Sequence, residues 1–235
     1  MFKLLSTANP KIQKGTKMGY LSFILHLAPA DLSGRETCPK RTVGCTAACL
    51  NTAGRGGMFK KGENTNMIQK ARIRKTKYFF EDRDAFMLDL AYDIQKAIRF
   101  AERKGLIPVF RLNGTSDLSW EKYEVPVFCT KNIFELFPNV QFYDYTKVLG
   151  RKVKDIPNYH LTFSKADGND ADVAEALLQG MSVVAVYDKI PAGVPSADET
   201  DLRFLDPKGV MLGLKAKGRA KKDYTGFVIR VKEVA

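Results

Sequence analysis

GYLSFILHLAPADLSGRETCPKRTVGCTAACLNTAGRGG, residues 19–57, decides the fold class, because a long apolar run gives way to a glycine-punctuated loop carrying three cysteines. Residues 19–30 are β-branched and aromatic enough for a strand, and near-continuous apolarity suits burial on both faces. Such a strand belongs to a parallel sheet covered by helices, and the pattern downstream agrees. One helix is expected from Thr65, as its N-cap, to Phe80, with Ile68, Ala71 and Phe79 inward and the basic residues outward. A second is expected from Asp84 to Lys104, where Phe86, Leu90, Ile94, Ala97, Ile98 and Ala101 recur at helical spacing and Gly105 closes the turn. Further strands are expected at 106–114, 140–147, 158–166 and 181–189. Between them fall a short helix over 130–138, capped by Thr130 and stopped by Pro138, and a helix over 169–180 with Val173, Ala174, Leu177 and Leu178 on one face. The remainder, with DLRFLDPKG and GFVIRVKEV, reads as turns and short strands at one edge. Strands alternating with helices imply an α/β fold. Residues 1–235 form a single domain with its cysteine loop at about 31–57, and the parallel sheet is either open or a partial (βα) barrel. Both layouts put an active site at the C-terminal ends of the strands.

Composition bounds the function. Hydrophobic residues at 45% and charged ones at 27% support a packed core rather than disorder. No apolar run approaches the roughly 20 residues that cross a bilayer, and MFKLLSTANPKIQKGTKMGY lacks the apolar stretch of a secretion signal. The chain is therefore expected in the cytoplasm, away from membranes, where four cysteines point to metal or redox chemistry rather than disulfides. The net charge of +12 is partly concentrated in Lys70, Arg72, Arg74, Lys75 and Lys77, and in Lys215, Lys217, Arg219, Lys221 and Lys222. Such clusters suit a nucleic acid or nucleotide-like anion through phosphate contacts; the plainer alternative is a solvated face that keeps the protein soluble.

The cysteines are spaced Cys-x6-Cys-x3-Cys. Three thiolates this close are expected to ligate a metal centre, with glycines 44, 54, 56 and 57 letting the backbone bend around it. An iron–sulfur cluster on Cys38, Cys45 and Cys49 would keep one iron open for an exogenous ligand. Zinc is one alternative, with His26 or Cys129 as fourth ligand, although the paired C-x2-C knuckles usual for zinc are absent; reduced, unligated or redox-active thiols are the other.

Polar residues follow each later strand and would gather at the same rim. In RLNGTSDLSWE, Arg111 is a candidate anion clamp, Asn113 a bidentate hydrogen-bonder and Asp117 an acid, base or metal ligand, unless the segment is simply a tight turn. Tyr145 and Lys147 complete the catalytic candidates. Asn113, Gly114, Thr115, Ser116, Thr162 and Ser164 are candidates for contact with a bound cofactor. Trp120 could stack a base or fill the core, and Tyr143 with Tyr145 could meet substrate or pack. His26 and His160 fit either catalysis or a buried hydrogen bond. Asp117, Glu121 and Asp144 would make a magnesium nuclease if they converged. A Walker loop, a GxSxG elbow and a GxGxxG turn are all absent, which sets aside P-loop NTPases, serine hydrolases and Rossmann dehydrogenases.

The layout of first strand, three-cysteine loop and βα units resembles radical SAM enzymes. The resemblance implies a four-iron (4Fe-4S) cluster on Cys38, Cys45 and Cys49 with S-adenosylmethionine on the open iron. It also implies that Asn113, Gly114 and Thr115 lie where that family's glycine-rich motif touches the cofactor. The usual loop there is Cys-x3-Cys-x2-Cys with an aromatic before the last cysteine, where this chain has Ala48; no Gly-Gly-Glu-Pro stretch occurs. The whole chain also resembles the gene product 88 family of phages and plasmids, through LLSTANPKIQKG, LHLAPADLSG, CTAACLNTAGRGG, QKARIRKT, RLNGTSDLSWE, QFYDYTKV, NYHLTFS, DLRFLDP and GLKAKG. That resemblance implies a mobile-element role in a bacterial host's cytoplasm and supplies no activity. Two functional expectations result. One is an iron–sulfur, radical SAM-like enzyme acting on a nucleic acid or nucleotide-like substrate. The other is a basic nucleic-acid-binding protein, for replication or host takeover, with a structural metal at the cysteines.

Overall fold

The apolar run at 19–30 forms a strand only over Tyr20–Leu25 (β2). Beyond it the backbone turns to side-chain partners: Ala28 N–H donates to Thr76 Oγ1 at 2.8 Å, and Ala28 C=O accepts from Thr37 Oγ1 at 2.6 Å. Residues spoken for in this way cannot continue a ladder. The structure is a computed structural model and describes residues 3–7, 14–126 and 131–231.

Around β2 lie Leu5–Ser6 (β1), Ile107–Arg111 (β3), Gln141–Thr146 (β4), Tyr159–Ser164 (β5), Val183–Tyr187 (β6), Met211–Lys215 (β7) and Val228–Ile229 (β8). They form one mostly parallel eight-stranded sheet in the order β1-β2-β3-β4-β5-β6-β7, with β8 beside β6. Only the β1–β2 pair is antiparallel. From β2 to β7 spatial order equals chain order, so the sheet is wound in one direction without a switch point. β6 meets β5 only at Val183 and Val184, while β8 pairs at Val186 and Tyr187. Since β7 fills the other edge of β6 throughout, β8 occupies the seam where β5 and β6 part.

Helices Met67–Glu81 (α2) and Arg83–Glu102 (α3) cover one face. Phe79, Phe86, Leu90 and Ile94 pack there with Phe23, Phe110 and Phe142 in the main core. The other face is covered by the turn Arg203–Leu205 and its flanks, with Leu202 against Val109 and Tyr143, and the Phe204 ring 5.6 Å and 5.5 Å from those of Tyr20 and Tyr143. The expectation that everything after 189 lies at one edge is thus corrected.

α2 starts one residue later than expected. Asn66 caps it, accepting from Gln69 N–H, while its amide donates to the Arg55, Gly56 and Met58 carbonyls. A hydroxyl such as that of Thr65 lacks the second donor for this double role. The short helix is Ile133–Leu136 (α4), with an Asn132–Glu135 capping box; Thr130 and Cys129 lie outside the described residues. In Asp170–Leu178 (α5) the buried positions are Val173 and Ala176, and Leu178 is exposed. No helix among the described residues is long and apolar enough to cross a membrane.

Candidate functional site

The loop leaving β2 is braced before it reaches its first cysteine. Ala30 adopts a left-handed conformation (φ 52°), Thr37 N–H donates to Ala30 C=O at 3.0 Å, and Asp117 N–H donates to Thr37 C=O at 2.8 Å. This ties the cysteine loop to the segment that follows β3. The Cys38 sulfur accepts from Ala30 N–H at 3.4 Å and faces the Thr115 carbonyl at 3.9 Å. The short helix Val43–Ala47 (α1) follows. Thr42 caps it through Cys45 N–H at 3.1 Å, and Asp167 holds both the Thr42 hydroxyl and Gly44 N–H. Gly44 is required there, since a Cβ would stand 2.0 Å from Thr225 Oγ1 and 2.8 Å from Phe227 Cβ. At Cys49 the chain turns again, and Asn51 N–H donates to its sulfur at 3.5 Å. All three cysteines are half-buried free thiols.

They converge electrostatically on two cations. The Lys147 ammonium, just beyond β4, is opposed by burial but held above its ordinary pKa by Cys45, Asp117 and Cys38 around it. Burial pushes the Cys38 thiol up to about 11 against the pull of Ala30 N–H and the Thr37 hydroxyl, with Cys49 and Asp117 adding to the rise. Burial also raises Cys49, partly countered by Asn51 N–H, Lys147 and Arg72. Arg72 contributes a charge with no ion-pair partner among the described residues. Its Nη1 donates to the carbonyl and side-chain oxygens of Asn51, at 3.1 and 2.6 Å, and its enclosed Nε has no partner. Burial lowers its pKa, and Cys49 is what raises it.

Arg72 corrects the expectation that the basic residues of α2 point outward. Gln69, Thr76 and Phe79 are the buried positions, and Arg72 shares their face. Lys75 also turns in, donating to Leu4 C=O at 2.9 Å. His26 completes this side of the rim. Burial, then Arg72, Arg111 and Lys75, hold it down to about 3, so it is neutral near pH 7. Gly114 passes so close that a Cβ would lie 2.5 Å from His26 Nδ1.

Among the described residues, no three His, Cys, Asp or Glu side chains are drawn together as ligands for one metal ion. Tetrahedral zinc at Zn–S of about 2.3 Å needs sulfurs about 3.8 Å apart, and the three thiols are not gathered that way.

Several rim residues prove to be framework. Arg111 is not an open anion clamp: Asp201 pairs with it at 2.9 Å and the Tyr145 ring lies 4.6 Å from its guanidinium. Tyr145 itself donates to Asp201 at 3.2 Å. The buried Asn113 is not free for a ligand, since its amide donates to Leu118 C=O and its oxygen accepts from Ser116 Oγ, Leu118 N–H and Trp120 Nε1. Ser116 is thereby committed too. Thr115 donates its hydroxyl to Leu27 C=O at 2.5 Å. Trp120 is a fully buried core residue beside Phe79 and Phe86, out of reach of any base. Tyr143 is also buried, donating to Ser22 Oγ at 3.2 Å. Thr162 lies 3.4 Å from His160 Nε2, and burial with Lys208 and Arg203 nearby holds His160 down to about 4. Ser164 contributes its carbonyl to Asn169.

The carboxylates Asp117, Glu121 and Asp144 do converge, but on Arg151 rather than on a metal. Glu121 takes two of its N–H groups and Asp117 Oδ1 lies 3.9 Å from Nη1. Tyr159 accepts from Nη2 at 3.1 Å and donates to Asp144 at 3.0 Å. The magnesium-nuclease expectation needed these carboxylates to meet a metal, and the group they meet here is a guanidinium. Of the catalytic candidates, Asp117 and Lys147 remain beside the cysteines: Asp117 Oδ2 accepts Lys147 N–H at 2.8 Å, and Oδ1 is enclosed without a hydrogen bond. Sequence reasoning missed Arg72 and Arg151.

A family model described as Gene product 88 matches residues 3–231. No curated protein and no solved structure matches the chain.

Proposed function

This chain belongs to the gene product 88 family, and from there we propose that its three-thiol basin holds an iron–sulfur cluster with one iron left open. In this reading the protein is an enzyme of radical SAM-like layout acting on a nucleic acid or nucleotide-like substrate. One observation carries it: of the two cations facing the thiols, one is paired with no carboxylate among the described residues. Arg72 makes no ion pair among the described residues, and Lys147 is surrounded by Cys45, Cys38 and Asp117. An enclosed cation without an anion is costly. Thiols that lose their protons on metal binding supply the missing negative charge.

Cys38, Cys45 and Cys49 would hold the cluster. Ala30 and Asn51 N–H groups already donate to two of the sulfurs, as hydrogen bonds that tune such centres do. Lys147 and Arg72 offset thiolate charge, and Asp117 orients Lys147 through its backbone N–H. A cluster of this type supplies one-electron chemistry and an open iron for an exogenous ligand, S-adenosylmethionine in the radical SAM layout. The one-way strand order with helices on one face supports a partial (βα) barrel.

Anaerobic purification with iron and sulfide tests this reading. The expected result is a brown protein carrying about four irons and four sulfides per chain, with the colour lost in Cys45→Ala. A colourless protein, or one loaded with zinc alone, overturns it. The second reading, a nucleic-acid binder with a structural metal, is favoured by the exposed cations of Gly218–Lys222.

A further inference from the structure

The outer side of the cysteine loop forms one wall of a groove of about 340 Å³. Ala47 and Ala48 face Arg219, Lys222 and Tyr224 across it. Ala48 directly precedes Cys49 and lies three residues past Cys45, so the groove and the thiols share one ridge of backbone. The opposite wall is firmly seated. Ala216 and Ala220 pack with Ala48 and Val228, and Arg230 Nη2 donates to the Lys221 and Asp223 carbonyls at 2.9 and 2.7 Å. Its cations are therefore presented from a packed base rather than a loose tail. Arg219, Lys221 and Lys222 are exposed and make no ion pair among the described residues.

Tyr224 is 87% exposed, an unusual position for a ring of that size. The Arg230 guanidinium lies 5.0 Å from its centroid, which leaves the ring's opposite face to solvent. The one carboxylate in the wall, Asp223, is turned into its own loop, accepting from Val228 N–H at 2.9 Å and Thr225 Oγ1 at 2.7 Å. It does not oppose an incoming anion at the mouth. In the same loop, Val43 and Leu50 are 78% and 55% exposed.

We propose that this groove grips single-stranded nucleic acid. Arg219 and Lys222 meet phosphates, a base stacks on the open face of Tyr224, and the strand continues over Val43 and Leu50 toward Cys45. Cations beside an exposed ring and apolar side chains are the means by which single strands are held without reading sequence. A lone ring reaches only an unstacked base, which favours a single strand over a duplex. The inference rests on the reading above that the substrate is a nucleic acid, and it names where that substrate enters.

The test is fluorescence anisotropy of the full chain with labelled single-stranded RNA and DNA of about a dozen nucleotides, within the site sizes usual for such grooves. The matching duplex and a polyglutamate peptide serve as competing probes, and iron content is measured on every sample. Tyr224→Ala should weaken binding roughly ten-fold, the weight of one stacked base, while Tyr224→Phe stays within about two-fold because it keeps the ring. Arg219→Ala with Lys222→Ala should reduce the slope of log affinity against log salt by about 1.4, two phosphate contacts on a single strand. Arg103→Ala with Lys104→Ala, at the far end of α3, should leave that slope unchanged.

Absence of single-strand binding by an iron-loaded wild type overturns this inference and leaves the cluster reading intact. So does polyglutamate or duplex competing equally while Tyr224→Ala binds normally. A cluster-free protein that binds single strands in a Tyr224-dependent way sustains the inference and overturns the cluster.

Discussion

Two polar networks meet at the turn after β3, and they are built on opposite principles. Around Arg151 the cation is met by fixed carboxylates: Glu121 and Asp117 close on the guanidinium directly and Asp144 through Tyr159. Around the cysteines the cations come first, with Arg72 and Lys147 facing groups that are neutral thiols until they lose a proton. A balanced network locks a fold. An unbalanced one, on the reading proposed above, is completed by a bound metal centre. Asp117 belongs to both, with one oxygen toward Arg151 and the other holding Lys147 N–H.

Removing the centre of the balanced network should produce the largest effect. The Arg151 side chain is 2% exposed, and Arg151→Met strands buried carboxylates. Its cost is expected at about 3–5 kcal/mol, the penalty for breaking a buried pair, read by urea denaturation. A loss under 1 kcal/mol would dissolve the contrast between the two networks.

Acid should act through neutral groups. The folded-state values of His26, about 3, and His160, about 4, lie below the ordinary 6.5. The unfolded chain therefore takes two protons that the fold refuses, and stability is lost as pH falls below 6.5. Burial holds Asp144 up to about 7, so between 3.8 and 7 the fold keeps a proton the unfolded chain releases, and its contribution has the opposite sign. Two against one leaves a net proton, or about 1.4 kcal/mol lost per pH unit between 6.5 and 4. His26→Gln should flatten that slope, and an unchanged slope in denaturant midpoints would refute the assignment.

The smallest change is expected at Arg72. Arg72→Met deletes a cation without an ion pair, so stability of the metal-free protein should stay within about 1 kcal/mol, far below the Arg151 effect. Iron uptake under limiting metal should fall, because Cys49 loses the charge that favours its thiolate. Wild-type uptake in this variant would show that Arg72 is only structural.

How much of this was legible in the sequence follows from where each partner sits. The strands from β2 to β6 declare themselves as apolar runs, and α3 by its periodicity. The strand-end rule brought the cysteine loop, Asp117 and Lys147 to one rim. The same rule could not tell Arg111 and Asn113 from ligand-binding residues, because their partners, Asp201 and the Leu118–Trp120 turn, satisfy them in space. Arg151 was invisible for the converse reason: nothing near it in sequence marks it as the partner of Glu121 and Asp117, thirty or more positions away. Arg72 left a faint trace. Gln69, Arg72, Thr76 and Phe79 recur at helical spacing, but a polar stripe in a basic helix reads as surface until its neighbours are known.

The wedge of β8 between β5 and β6 has a consequence in time. Gly44 fits against Thr225 and Phe227, and Ala48 against Ala220 and Val228, although most of the chain separates each pair. During synthesis the three thiols emerge well before the segment that seats their loop. Contacts so distant in sequence form slowly, so the loop's outer side is seated only after the chain that follows it has been made. The order of assembly makes the seating of this loop a late event, and with it, on the reading proposed above, the point at which a metal centre can be retained.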